Sequence, residues 1–194
     1  MNAARRFALR SRIVGALTTL GVLTCLGAAA TARAQDPEPT PVHKYDLKAG
    51  IFLPTQGALR NQSGSPYWNI GVDYNPNFRY KPAGGQIYFN VDFKFRESGG
   101  LSYLTIPLTA NVVWNFTPVG SQFRVYGGLG AGVYFINTGF IGGTTQGGVR
   151  FIVGADITEK YFLELDYDYT GGFTDSRGNG LRVDGLTFSV GRRF

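Results

Sequence analysis

The sequence of 194 residues has very few of the side chains that most catalytic and metal sites require: one cysteine and one histidine. Cys25 lies in an N-terminal segment that we expect to be removed, so the remaining chain has no thiol for a disulfide or for thiol chemistry. His43 lies beside a proline-spaced segment, where a solvated role is usual. No set of nucleophile, base and orienting residue is visible. We therefore predict no catalytic residue, no metal ligand and no cofactor.

Long apolar runs are also absent, except for one at the N-terminus. Four arginines precede an apolar stretch from Ile13 to Ala30, and Ala32-Arg33-Ala34 has small residues at the positions that signal peptidase requires. The alternative is a retained anchor helix, because the stretch is close to the length needed to span a bilayer. Its Gly, Ala and Thr content favours a secretory signal peptide over residues 1–34, which makes Gln35 the first mature residue.

Excess charge of either sign is missing from the mature chain. The full chain has 19 Lys and Arg against 13 Asp and Glu, a formal charge of +6. Five arginines lie in residues 1–34 and all acids lie beyond them, so the mature charge is 14 − 13 = +1. The basic character belongs to the targeting segment and predicts no nucleic-acid partner.

Alternating apolar and polar residues dominate the rest of the chain. Residues 35–43 form a short leader in which regularly spaced prolines prevent sheet pairing. Residues 44–194 form one domain with eight runs of period two, and such alternation predicts β-strands. No amphipathic helix is visible. The predicted strands are Lys44–Leu53, Tyr67–Asn75, Gly85–Arg96, Leu101–Phe116, Gln122–Ile136, Gly148–Ile157, Tyr161–Thr170 and Val183–Phe194.

The connections between these runs mostly alternate between long and short. Three are long, polar and rich in glycine, and we expect surface specificity to lie there. They are Pro54–Pro66, Asn137–Gly147 and Gly171–Leu181. Thr117–Ser121 and Thr158–Lys160 are short turns. The long Pro76–Gly84 and the short Glu97–Gly100 break the alternation, so the boundaries there stay open.

The two faces of the strands differ in a way that favours a membrane barrel. The apolar face carries both tryptophans and most of the 15 phenylalanines. The interior of a small barrel is barely wide enough for side chains, so these residues fit better on the outside, facing lipid. The aromatic residues near the strand ends fit interfacial girdles. They are Tyr45, Trp68, Tyr74, Phe95, Trp114, Phe116, Phe123, Phe135 and Tyr169. A soluble secreted barrel or sandwich is the alternative.

Three stretches give the mature chain its resemblance to a known family. They are Leu104–Leu108 with Ala110–Phe116, Val125–Tyr134, and the terminal strand ending in Phe194. With these, the chain resembles the small Gram-negative outer-membrane β-barrel family, the OmpA-like and porin-family barrels. The resemblance implies an all-β, eight-stranded antiparallel up-and-down transmembrane barrel in the outer membrane. It also implies that Phe188, Val190 and Phe194 form part of the signal read by the barrel assembly machinery.

Charged residues on the polar face predict an ion-pair network that fills the lumen. Glu164, Asp166 and Asp168 form a ladder on one strand, which we expect to pair with Arg150 on the preceding strand and Arg193 on the following one, because buried charges are costly unless paired. A calcium site at the ladder is an alternative. The predicted network consists of Lys48, Asp73, Asp92, Lys94, Arg124, Arg150, Glu164, Asp166, Asp168 and Arg193.

Three classes of function fit this reading. The first is a structural or surface-interaction barrel with a plugged lumen, whose partners are outer-membrane lipid, the assembly machinery and an unidentified extracellular ligand. The second is a narrow porin-like channel for small or hydrophobic solutes. The third, a lipid-modifying enzyme, fits worst because no histidine lies in a strand. We expect a monomer.

Overall fold

The computed structural model describes residues 43–76, 85–98, 101–118, 121, 123–138, 142–174 and 180–194. The predicted signal peptide (1–34) lies outside these ranges, as does the predicted leader apart from His43. Both therefore stay predictions.

Eight antiparallel strands close into a barrel. They are β1 (Tyr45–Pro54), β2 (Tyr67–Tyr74), β3 (Gln86–Ser98), β4 (Leu101–Asn115), β5 (Arg124–Thr138), β6 (Gly142–Asp156), β7 (Tyr161–Thr170) and β10 (Gly185–Arg193). Each pairs with its neighbours along this series, and β1 pairs with β10 to close the barrel. Every one of the eight therefore has two partners for its backbone N–H and C=O groups. The predicted eight-stranded up-and-down barrel is confirmed.

One predicted boundary is wrong by more than two residues. β6 begins at Gly142 rather than Gly148, and it pairs with β5 as far as Thr138. The predicted loop Asn137–Gly147 is therefore mostly strand, and only residues 139–141, which are not described, separate the two strands. The error arises because backbone pairing continues past the apolar band, where small and polar residues hide the alternation.

Two short elements occupy the other connections that were predicted as loops. Helix α1 (Gly57–Ser63) lies within Pro54–Pro66 and ends at Gly64, whose φ of 74° suits glycine. Strands β8 (Phe173–Thr174) and β9 (Gly180–Leu181) pair within the third loop. The absence of helix predicted from the sequence is wrong, because seven residues are too few to show a helical period. Among the described residues, no helix has the length and hydropathy needed to cross a membrane.

The barrel has two different ends. At the loop end lie α1, the β8–β9 hairpin and the short connection between β3 and β4. At the turn end lie the start of β1, the end of β10 and the tight turn at residues 157–160. β2 ends at Tyr74 and β3 begins at Gln86, so the long connection between them is also at the turn end. Both departures from alternating length are thus real features, although residues 77–84 lie outside the described ranges.

Candidate functional site in the lumen

The outer wall of the barrel is apolar on every strand. Trp68 is 66% exposed and Val153 57% exposed, values unusual for large apolar side chains. The aromatic residues concentrate near the two ends. At the turn end they are Tyr45, Tyr74, Phe116, Phe123, Tyr161 and Phe194, and at the loop end Trp68, Phe95, Phe135 and Tyr169. Soluble monomers rarely expose a continuous apolar surface of this extent, so this wall needs an apolar environment.

The inner wall carries a dense set of charges at mid-height, which we name the central lumen cluster. Its members are buried and belong to five strands, and they meet only because the barrel closes. They are Lys48, Asp73, Asp92, Lys94, Arg150, Glu164, Asp166 and Asp168. All eight were predicted from the alternation as lumen charges.

Arg150 is the most highly connected member of the central lumen cluster. Its side chain is fully buried, with Nη2 2.8 Å from Asp92 Oδ2 and Nε 2.7 Å from Asp168 Oδ1. Nη1 donates a hydrogen bond of 2.6 Å to Asn90 Oδ1. The planar guanidinium thus joins β3, β6 and β7 across the lumen. The expected pairing of the acidic ladder with Arg150 is present for Asp168, and Arg150 Nη1 also lies 3.7 Å from Asp166 Oδ2.

The two lysines extend the cluster to the remaining carboxylates. Lys48 Nζ lies 2.6 Å from Glu164 Oε1 and 3.4 Å from Asp73 Oδ1. Lys94 Nζ contacts Asp168 and donates to Thr187 Oγ1 at 2.8 Å. Buried ammonium groups need such partners, because an isolated charge in a poorly hydrated interior is costly. The side chains therefore cross-link strands on opposite sides of the lumen.

A second, smaller group of charges lies at the turn end, and we name it the turn-end cluster. Arg193 Nη2 is 2.6 Å from Asp156 Oδ1, and its Nε is 3.7 Å from Asp46 Oδ2. Arg124 Nε is 3.4 Å from Asp156 Oδ2. The expected pairing of Arg193 with the acidic ladder is wrong. Arg193 lies near the end of β10, two residues beyond Gly191, which pairs with Phe162. At this height Arg193 is level with Asp156 and lies past the end of the acidic ladder.

Apolar side chains pack together at the loop end of the lumen, and we call this group the apolar cap. Inward-facing residues of the barrel contribute Phe52, Tyr67, Tyr103, Tyr134 and Ile136. Leu59 from α1 and Phe173, Leu181 and Val183 from the β8–β9 region pack onto them. The Tyr67 and Tyr103 rings stack with centroids 4.5 Å apart. The sequence prediction of a polar lumen missed this layer, although aromatic residues on the polar face near strand ends were a signal for it.

A cation on the outer rim accompanies the cap. The Arg182 guanidinium lies over the Tyr169 ring, 4.2 Å from its centroid, and donates to the Tyr169 hydroxyl. That hydrogen bond raises the pKa of Arg182, so the group keeps its positive charge. The backbone amide of Arg182 also donates to Gln56 next to α1. The β8–β9 region is thus fastened both to the wall and to the segment before the helix.

The residues predicted as an assembly signal lie on the outer wall of the closing strand. Phe188, Val190 and Phe194 are all exposed and point away from the lumen. The Phe194 amide donates to the Tyr45 carbonyl at 2.9 Å, so the last residue still pairs with β1. This placement fits the expected signal, whose recognition stays a prediction.

Binding of a divalent metal by clustered acidic side chains is not favoured by the geometry. Within the described ranges, no three His, Cys, Asp or Glu side chains come together in an arrangement that could hold a metal ion. The acidic ladder places its carboxylates at successive heights along one strand, and ion pairs separate them.

Searches against protein-family models and against curated proteins find no match. Among solved structures, the chain is similar to Neisserial surface protein A, with 14% identity over 77% of this chain and 92% of that one, at a TM-score of 0.49. A major outer membrane protein from Thermus thermophilus gives 14% identity over 79% of this chain and 100% of that one, with a TM-score of 0.47. The outer membrane enzyme PagL gives 13% identity over 77% and 98%, with a TM-score of 0.49.

Proposed function

We propose that this chain is an integral outer-membrane β-barrel with a closed lumen and a structural or surface-interaction role. The membrane location is supported by the outer wall, where apolar side chains surround the barrel between two aromatic belts. Such a wall matches the apolar band and girdles of barrels that span the outer membrane. A soluble barrel would instead turn this face inward and show the charged face to water.

The observation that carries the closed lumen is that two layers of side chains cross it. The central lumen cluster joins opposite walls through Lys48, Lys94 and Arg150, each with a partner on another strand. Above it, the apolar cap brings α1 and the β8–β9 region onto inward-facing aromatic rings. An ion would have to displace both layers to pass. This favours a plugged barrel over a pore.

The loop end is where we propose contact with the surroundings of the cell. There, α1 exposes Arg60 and Asn61, and the β8–β9 region carries the exposed Thr174. Mobile or variable connections on a rigid scaffold are common positions for recognition. We further propose that the barrel is a monomer, that the assembly machinery reads its terminal strand, and that its loop end contacts an extracellular ligand.

An enzymatic role is not part of this proposal. The inner wall holds carboxylates, amides and hydroxyls, and most of the described ones are engaged in ion pairs and hydrogen bonds that hold the strands together. His43 lies at the turn end, before β1. Where a strand hydroxyl does face a carboxylate, as Tyr134 faces Asp168 at 2.7 Å, that carboxylate is also paired with Arg150.

The test is electrical. Refolded protein is incorporated into liposomes, purified by flotation to prove insertion, and fused with a planar bilayer, with a heat-shift gel confirming the folded state. We expect folded, inserted protein that gives no unitary current steps. Reproducible steps of one size would contradict the closed lumen and favour the narrow channel instead. Protein that does not float with liposomes would contradict the membrane location itself.

A further inference from the structure

The central lumen cluster contains more carboxylates than cations. Lys48, Lys94 and Arg150 face five carboxylates, namely Asp73, Asp92, Glu164, Asp166 and Asp168, all buried. With every group ionised, the described members carry 3 − 5 = −2. In the turn-end cluster, two arginines balance two aspartates. An uncompensated charge is costly where water is scarce, so the central cluster calls for positive charge from solution.

The excess of negative charge is concentrated at Asp166. Its side chain is 1% exposed, and neither carboxylate oxygen has a hydrogen-bond partner. Lys48 Nζ lies 3.8 Å and Arg150 Nη1 3.7 Å from Oδ2, beyond hydrogen-bonding distance. Both cations are closer to other carboxylates, Lys48 to Glu164 at 2.6 Å and Arg150 to Asp168 at 2.7 Å. Asp166 is therefore a buried carboxylate whose neighbours are already engaged.

A second buried acceptor without a hydrogen-bond partner lies on β2. Asn69 is 1% exposed, and its Oδ1 has no hydrogen-bond partner. Its amide nitrogen donates to Ser189 Oγ at 3.3 Å. Ser189 is two residues along the same face of β10 from Thr187, the register partner of Asp166. On the inner face of β10, Thr187 and Ser189 thus place hydroxyl oxygens beside their register partners Asp166 and Glu164.

We propose that Asp166 binds a small monovalent cation, such as Na⁺ or K⁺, inside the lumen. Divalent cations in proteins usually take several carboxylates, and no such group of three occurs within the described ranges. One carboxylate with neutral oxygens carries the charge that suits a monovalent ion. The bound ion offsets part of the excess negative charge and strengthens the barrel, whether or not the lumen conducts.

The test compares salts at equal ionic strength and pH. The heat-shift midpoint of the refolded full-length mature protein is measured in NaCl, in KCl and in N-methyl-D-glucamine chloride, whose cation is too large for the lumen. We expect the wild-type midpoint to be higher in an alkali salt and to rise with its concentration, as for any ligand of the folded state. Asp166→Asn should lose this dependence and should melt no lower than wild type in the bulky salt.

Asp156→Asn is the matched control, because it removes a carboxylate from the balanced turn-end cluster. It should lower the midpoint in all three salts and keep the difference between them. Equal wild-type midpoints in all salts, or an undiminished difference in Asp166→Asn, would overturn the proposal. So would a wild-type midpoint that changes with pH but not with the identity of the salt, since a proton would then be the ligand.

A measurement on the wild type keeps the proposal testable if Asp166→Asn does not refold. The ²³Na resonance should be broader in a sample of the protein in micelles than in empty micelles of the same concentration. Added K⁺ should reverse this broadening. Broadening equal to that of empty micelles would also overturn the proposal.

Discussion

Replacing Arg150 with methionine should destabilise the barrel strongly. Arg150 is fully buried and contacts Asp92 at 2.8 Å, Asp168 at 2.7 Å and Asn90 at 2.6 Å. Methionine keeps much of the length of the side chain and removes its charge and donors. Asp168 would retain Lys94, but Asp92 would lose the cation with which it is paired.

The expected magnitude follows from the burial of both partners. Removing one side of a buried ion pair costs about 3–5 kcal/mol, because it leaves an uncompensated charge behind. The remaining Lys94 contact places Arg150→Met near the lower end of that range. With a urea dependence of about 2 kcal/mol per molar, the unfolding midpoint should fall by about 1.5 M.

A matched substitution in the same barrel separates this effect from a general loss of charge. Arg124 is also an inward arginine, but its side chain is 25% exposed and its partner Asp156 keeps Arg193. Arg124→Met should cost less, about 1 kcal/mol, because its side chain is partly solvated and Asp156 keeps its shorter ion pair with Arg193. Both variants are unfolded with urea in the same lipid, with tryptophan fluorescence and a heat-shift gel as readouts. If Arg150→Met melts at the same urea concentration as Arg124→Met, the reasoning about a buried network is refuted.

Three further predictions concern the wall, the terminus and the packing of glycine. Val153 is the middle outward residue of the apolar run on β6, so Val153→Arg should lower stability in lipid by about 2–4 kcal/mol. Thr145 also points outward on β6 but lies beyond the apolar run, so Thr145→Arg should change stability little. Equal urea midpoints for the two arginine variants would argue against a lipid-facing wall. Phe194→Asp should reduce the amount of barrel in isolated outer membranes while leaving refolding in detergent near normal; normal amounts would contradict the assembly signal. Gly154→Ala should cost about 1–3 kcal/mol by urea unfolding, because its new Cβ would lie 2.1 Å from the ring of its register partner. Gly143→Ala, with open space around it, should change little.

The fold was predictable from the sequence because period-two alternation is strong in almost every strand. Along β3, apolar Phe89, Val91 and Phe93 alternate with polar residues without a break, and the observed strand differs from the predicted one by two residues at most. The alternation also fixed which face each charge occupies. The signal failed on β6, where Gly142–Gly147 pairs with β5 but carries no apolar residues to mark the outer face.

Partners across the lumen could not be predicted in the same way. Alternation gives the face of a residue, but the height at which two strands meet depends on the register around the closed barrel. Arg193 thus pairs with Asp156 and Asp46 rather than with the acidic ladder on the adjacent β7. The apolar cap was missed for a related reason. Leu59 and Val183 are far apart in sequence, and they meet only because their connections fold over the same mouth.

We expect the two layers that cross the lumen to exclude different kinds of solute. The central lumen cluster is a layer of buried charges, most of them paired, and an apolar molecule that reached it would have to separate ion pairs without replacing them. The apolar cap offers no polar group strong enough to replace the hydration shell of an ion, so an ion that reached it would lose water without compensation. We therefore expect a solute suited to one layer to be rejected by the other. Because the layers lie one above the other, the arrangement favours a barrel whose role is carried by its wall and its loop end.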